Sequence, residues 1–186
     1  MKIDPERSSV RRMRPLVRLT LSAMFLALCM LLPFLTGNVP KIGNMLCPMH
    51  IPVLLCGIIC GWQYGLAVGL IAPLLRFALF SAPPLYPMGI SMAFELAVYG
   101  AVIGLVYSRL KNKNTAGVYL SLVSAMVCGR IVWGTVRFVL ARMTGGEFTW
   151  EAYLSGALLT AIPGIICQLV LIPLIIASLR RYKAIE

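Results

Sequence analysis

Four charged side chains stand inside stretches that are otherwise apolar: Arg76, Glu95, Arg130 and Arg137. A charge in hydrocarbon costs about 2.5–3.5 kcal/mol on insertion scales, so such residues usually face a cavity or a partner. Three arginines against one glutamate leave about two positive charges uncompensated in low dielectric, a surplus that an anion relieves. The arginine fork suits both oxygens of a carboxylate or phosphate. The chemistry this implies is recognition of a small organic anion. Helical phase adds aromatic neighbours. Arg130, Trp133 and Arg137 fall at i, i+3 and i+7 on one stripe, and Ser91, Met92, Glu95 and Tyr99 share another. An aromatic ring beside each charge fits a pocket that stacks a ligand and fixes it with a few polar groups. The competing reading is structural, with Glu95 paired to Arg76 or Arg137 to tie helices together.

Other reactive residues form no set. Ser91 and Glu95 lie four apart, but no Ser-His-Asp or metal constellation assembles around them, and no catalytic residue is assigned. Cys47 and His50 make a lone Cys-x-x-His, which is weak ground for a metal site. His50, the sole histidine, reads instead as a polar contact in a loop or pocket. The six cysteines are spread mainly over apolar segments and read as small buried residues. Cys56 and Cys60 share a helical face, but no second pair completes a metal site. The chain carries no phosphate-binding G-x-x-x-x-G-K-[ST], so any ATP hydrolysis belongs to another protein. No cofactor or metal is expected.

The elements that must hold these residues are membrane helices. Of 186 residues, 60% are hydrophobic. A soluble domain of this length does not carry so much apolar sequence. Continuous rather than alternating apolar runs exclude a β-barrel. The expected fold is an all-α, six-helix membrane bundle, with spans near 16–35, 49–61, 65–80, 88–107, 118–141 and 154–179. Residues 1–15 form a basic N-terminal segment, 16–180 the membrane domain and 181–186 a tail. SAPPLYP, with three prolines in seven residues, separates spans three and four. Spans two and three are short for a perpendicular crossing, yet together too long for one re-entrant hairpin.

The net charge of +11 is a topology signal rather than a nucleic-acid one. Lysines and arginines cluster before span one, between spans four and five, and after span six. Six spans put all three regions, and both termini, on the cytoplasmic side. At about 1.5 Å per residue, Arg76, Glu95 and Arg137 then lie roughly 6–10 Å below the outer surface and Arg130 roughly 18 Å. His50 begins span two at the outer side. Gln168, near the middle of span six, reads as a helix–helix contact. Ala23-x-x-x-Ala27, and Gly57, Gly61, Gly65 and Gly69 at every fourth position, are faces along which helices approach closely.

MLCPMHIPVLLCGIICGWQYGLAVGL, then PLYPMGISMAFELAVYGAVIGLVY, with six spans in about this length, resemble the substrate-binding (S) components of energy-coupling factor transporters, the prokaryotic vitamin-uptake systems. The resemblance covers nearly the whole chain. It implies a high-affinity capture subunit in the plasma membrane that docks, through Ala23 and Ala27, on a membrane coupling subunit carrying two ATPases. It also implies ligand binding by the first outer loop and the outer halves of spans four to six. The substrate-binding candidates are His50, Arg76, Tyr86, Ser91, Glu95, Tyr99, Arg130, Trp133 and Arg137. The arginine surplus favours an anion such as pantothenate, nicotinate, folate or lipoate, with a pantothenate-like ligand closest; the alternative is that Glu95 meets a cation or hydroxyls, as in a thiamine-like or polyol ligand. A self-sufficient secondary transporter of a small organic anion is the alternative, although such carriers usually show inverted repeats, and none is found here.

Overall fold

The computed structural model describes residues 14–35, 48–110, 114–145 and 162–181. Every regular element among them is helical: α1 (Pro15–Leu35), α2 (His50–Ile59), α3 (Trp62–Phe80), α4 (Ile90–Arg109), α5 (Thr115–Met143) and α6 (Ile162–Arg181). A single wide π-type turn, Leu85–Gly89, leads into α4. Five of the helices are long and apolar enough to cross a membrane. The chain is a multi-pass membrane protein, and its surface agrees. Leu66, Leu70 and Leu74 on α3, and Val123, Val127 and Ile131 on α5, are exposed at helical spacing. Such stripes suit lipid and not water.

The second expected span, 49–61, is shorter than a crossing. α2 has ten residues, about 15 Å of helix, half of what a bilayer core requires. The WQY sequence does not interrupt the chain; it opens α3. The break lies just before it at Gly61, whose φ of 102° is open to glycine and strained for other residues. α2 therefore runs beside only the first half of α3. The last expected span begins at Ile162, and 154–161 lie outside the described residues.

α4 is the hub, packing against α2, α3 and α5, while α1 covers α2 and α3 and α6 closes against α5 and α2. The core runs through Leu54, Leu96, Ile103, Leu122 and Ile172, all fully buried. Glycine lets α2, α3 and α4 come this close. A Cβ on Gly65 would stand 2.7 Å from the Gly100 carbonyl oxygen, and one on Gly69 2.3 Å from that of Leu96. Gly57 also abuts Gly100. Gly61, grouped with this stripe by its spacing, has no neighbour within 4 Å of its Cβ position and serves the turn instead.

α5 is capped by Asn114, whose side chain accepts from the Gly117 N–H at 2.9 Å. Its 29 residues make about 43 Å of helix, longer than a hydrocarbon core of about 30 Å. Its C-terminal end meets the turn before α4: the Tyr86 hydroxyl donates to the Leu140 carbonyl at 2.6 Å and lies 3.1 Å from Thr144 Oγ1.

Candidate ligand-binding site

The Tyr86–Leu140 contact sets the register of two antiparallel helices. Glu95 lies nine residues beyond Tyr86, and Arg130 ten residues before Leu140. Both are thus about 14 Å from that contact along the bundle. They meet there: Arg130 Nη1 is 3.1 Å from Glu95 Oε1. This corrects the sequence expectation that Glu95 pairs with Arg76 or Arg137 while Arg130 lies deeper. Counting residues from the two helix ends put them at different depths, whereas the Tyr86–Leu140 contact levels them.

His50 joins them, with Nε2 3.7 Å from the same Glu95 oxygen. It does not lie at the outer surface. α2 starts halfway along α3, since eleven residues separate His50 from the Gly61 turn, and that places the imidazole near the level of Glu95. Both residues are only 2% exposed. Glu95 Oε1 and both His50 ring nitrogens are buried with no hydrogen-bond partner among the described residues. Buried polar atoms without partners cost about 1–3 kcal/mol each, which makes this cluster a place where a ligand repays its own desolvation.

Tyr99 packs behind the cluster, its ring edge-on to His50 at 5.2 Å between centroids. Gly129 makes room for it: a Cβ there would stand 2.3 Å from the Tyr99 ring. Gly129 was not singled out from the sequence. Its one readable signal is its place directly before Arg130.

The remaining candidates lie apart from this cluster. Arg76 is buried in α3, where it donates to the Met30 carbonyl of α1 at 3.0 Å. Its guanidinium lies 5.1 Å from the Phe34 ring centroid and 5.6 Å from that of Phe80. Gly69 is level with Leu96, so Arg76 stands seven residues, about 10 Å, nearer the Tyr86 end than Glu95 does. Arg76 is a clamp between α1 and α3. Replacing it with Lys keeps the charge but loses the planar stack and fork. Arg76→Lys is expected to cost about 1–3 kcal/mol of stability while ligand affinity stays within about twofold, since the residue lies outside the cluster. Thermal unfolding in detergent and a binding isotherm on the same sample check both.

Ser91 is fully buried, but its hydroxyl donates to the Pro87 carbonyl at 2.7 Å. Arg137 lies over the Trp133 ring at 5.6 Å, two turns nearer the Tyr86 end than Arg130. Tyr86 is 44% exposed and fastens the turn to α5. Gln168 is buried in α6. Cys47 lies outside the described residues. Ala23 and Ala27 are both exposed on α1, while Ser22, Phe25 and Cys29 take its inner face.

An ion pair and an imidazole lie together in the half of the bundle that carries the Tyr86 turn. No curated protein matches the chain significantly. A family model described as ECF transporter, substrate-specific component, matches residues 17–176, most of the chain and all of the site. The protein belongs to the substrate-specific components of ECF transporters.

Proposed function

We propose that this chain is the capture subunit of an ECF-type importer, binding a water-soluble, anionic vitamin-like molecule at the Glu95–Arg130–His50 cluster. A pantothenate-like acid is the most specific form of this reading. The observation that carries it is the burial of Glu95 against Arg130 with His50 unsatisfied beside them. A purely structural ion pair needs no such open polar valence. With the basic termini on the cytoplasmic side, the Tyr86 end faces outward, which fits uptake. The chain itself performs no catalysis. Hydrolysis of ATP falls to two partner ATPases held by a membrane coupling subunit, and the bilayer is the prokaryotic plasma membrane.

Two measurements test this. The isolated protein, in detergent, binds its ligand tightly. In proteoliposomes it moves none until the coupling subunit and both ATPases are added with ATP. Uptake by the chain alone would make it a secondary carrier.

The exposed alanine face of α1 is the docking surface in this reading. Ala23→Trp and Ala27→Trp are expected to leave ligand affinity within about twofold, because neither side chain faces the core, and to cut coupled uptake at least about tenfold by filling a close helix–helix approach. Pull-down of the coupling subunit separates failed docking from failed transport.

A further inference from the structure

The end of the bundle away from the Tyr86 turn carries a second concentration of charge. Arg14 and Arg18 on α1, Arg109 on α4, and Arg180 and Arg181 on α6 all lie there. Glu95 is the one acid among the described residues, and it stands twelve residues, about 18 Å, from Tyr107 along α4. In sequence, 1–13, 111–113 and 182–186 add seven basic residues against three acids, so they bring no net counter-charge.

Two of these arginines belong to the level of the Gly61 turn. Cys29 Sγ donates to the Met49 carbonyl at 3.6 Å, and from that contact α1 and α2 run antiparallel. Eleven residues along each, Arg18 comes level with Cys60. The Arg180 guanidinium donates to the Tyr107 hydroxyl and lies 5.8 Å from the centre of that ring. Tyr107 is three residues, about 4.5 Å, past Gly104, whose Cβ position is 2.6 Å from the Trp62 Cα. α1 and α6, which carry the two arginines, both pack on α2.

A long cation at a membrane edge normally snorkels its head into water. These two keep their Nε atoms buried, with no hydrogen-bond partner among the described residues. Two charged donors without an acceptor are costly, and an anion with several acceptor oxygens relieves both. The turn has room for one, since no atom lies within 4 Å of the Gly61 Cβ position. Trp62 beside it is 40% exposed, as aromatic rings at headgroup level are. From this level the exposed Leu19 and Met24 on α1, and Leu174 and Val170 on α6, lead into the bilayer. Charge at the edge with apolar surface running inward from it matches a lipid better than a free ion.

We propose that Arg18 and Arg180 hold the phosphate of an anionic phospholipid at the Gly61 turn, its acyl chains lying along α1 and α6. The Lys/Arg distribution makes this end cytoplasmic, and that leaflet is the one whose anionic headgroups attract basic segments and fill basic pockets between helices. The surrounding arginines exclude a choline headgroup by like charge.

The test is native mass spectrometry of the full chain, incubated in detergent with equal amounts of phosphatidylglycerol and phosphatidylcholine. Phosphatidylglycerol is expected to be retained at least about tenfold over phosphatidylcholine. Arg18→Gln with Arg180→Gln is expected to reduce that preference to about twofold or less, while Arg142→Gln, at the opposite end, leaves it unchanged. Each single variant is expected to lower it about threefold, so the assignment is tested even where the double variant does not fold. Equal retention of the two lipids by the unaltered protein, or an undiminished preference in the Arg18 and Arg180 variants, would overturn the proposal. So would release of bound phosphatidylglycerol by excess inorganic phosphate, which would make this a site for the free ion.

Discussion

Arg130→Ala is expected to abolish ligand capture and to destabilise the protein by about 3–5 kcal/mol, the usual cost of removing one partner from a buried ion pair. Glu95 is 2% exposed, so the orphaned carboxylate has no route to water. It must take up a proton or distort the helices around it. Glu95→Ala removes the carboxylate that Arg130 faces at 3.1 Å and is expected to be damaging too. The two losses are not independent. In the double variant neither charge remains, and most of the lost stability returns, because the penalty belongs to the unpaired partner and not to the missing contact. Ligand binding does not return. Melting temperatures of the four proteins in detergent, with binding measured on each, form the cycle. Additive destabilisation would show that the two side chains are not coupled as the 3.1 Å contact requires.

Gly100→Leu is expected to prevent assembly of the bundle. A Cβ at Gly100 would lie 2.2 Å from the Gly65 carbonyl oxygen and 2.8 Å from its Cα. Those atoms are backbone and cannot rotate aside. Overpacking a core costs about 1–3 kcal/mol when side chains can shift, and more is expected here because whole helices must separate. In lipid, packing between helices has no hydrophobic drive to replace it. Even Gly100→Ala should lower the melting temperature measurably. Gly145, whose Cβ position is open, is the comparison site, although its φ of 69° also disfavours a side chain. Size-exclusion profiles from membranes give the result. A monodisperse, ligand-binding Gly100→Leu protein would mean that α3 and α4 are not held at this distance.

Much of the fold was legible because membrane insertion is a local property. Each apolar run had to become a helix, since hydrocarbon leaves backbone polar groups no other partner. The prolines of SAPPLYP had to end one, and Gly61 permitted a turn that few other residues adopt. What misled was length. The run 49–61 read as a short span, and only its packing beside α3 reveals a ten-residue half-helix that carries His50 inward. Gly100 and Gly104 went unremarked because their use depends on Gly65 and Trp62, residues distant in sequence.

The sequence by itself determined that charges would be buried, which residues they were, and that their number favoured positive. Cost per residue is enough for that. It did not determine who meets whom. Arg76, Arg130 and Arg137 are alike in composition and context, and their fates are a clamp on α1, an ion pair and a stack on Trp133. Those fates follow from register: the Tyr86–Leu140 contact that levels Glu95 with Arg130, and the shortness of α2. Helix offsets of one or two turns are set by tertiary contacts. Each turn moves a side chain about 5 Å, more than the reach of a hydrogen bond.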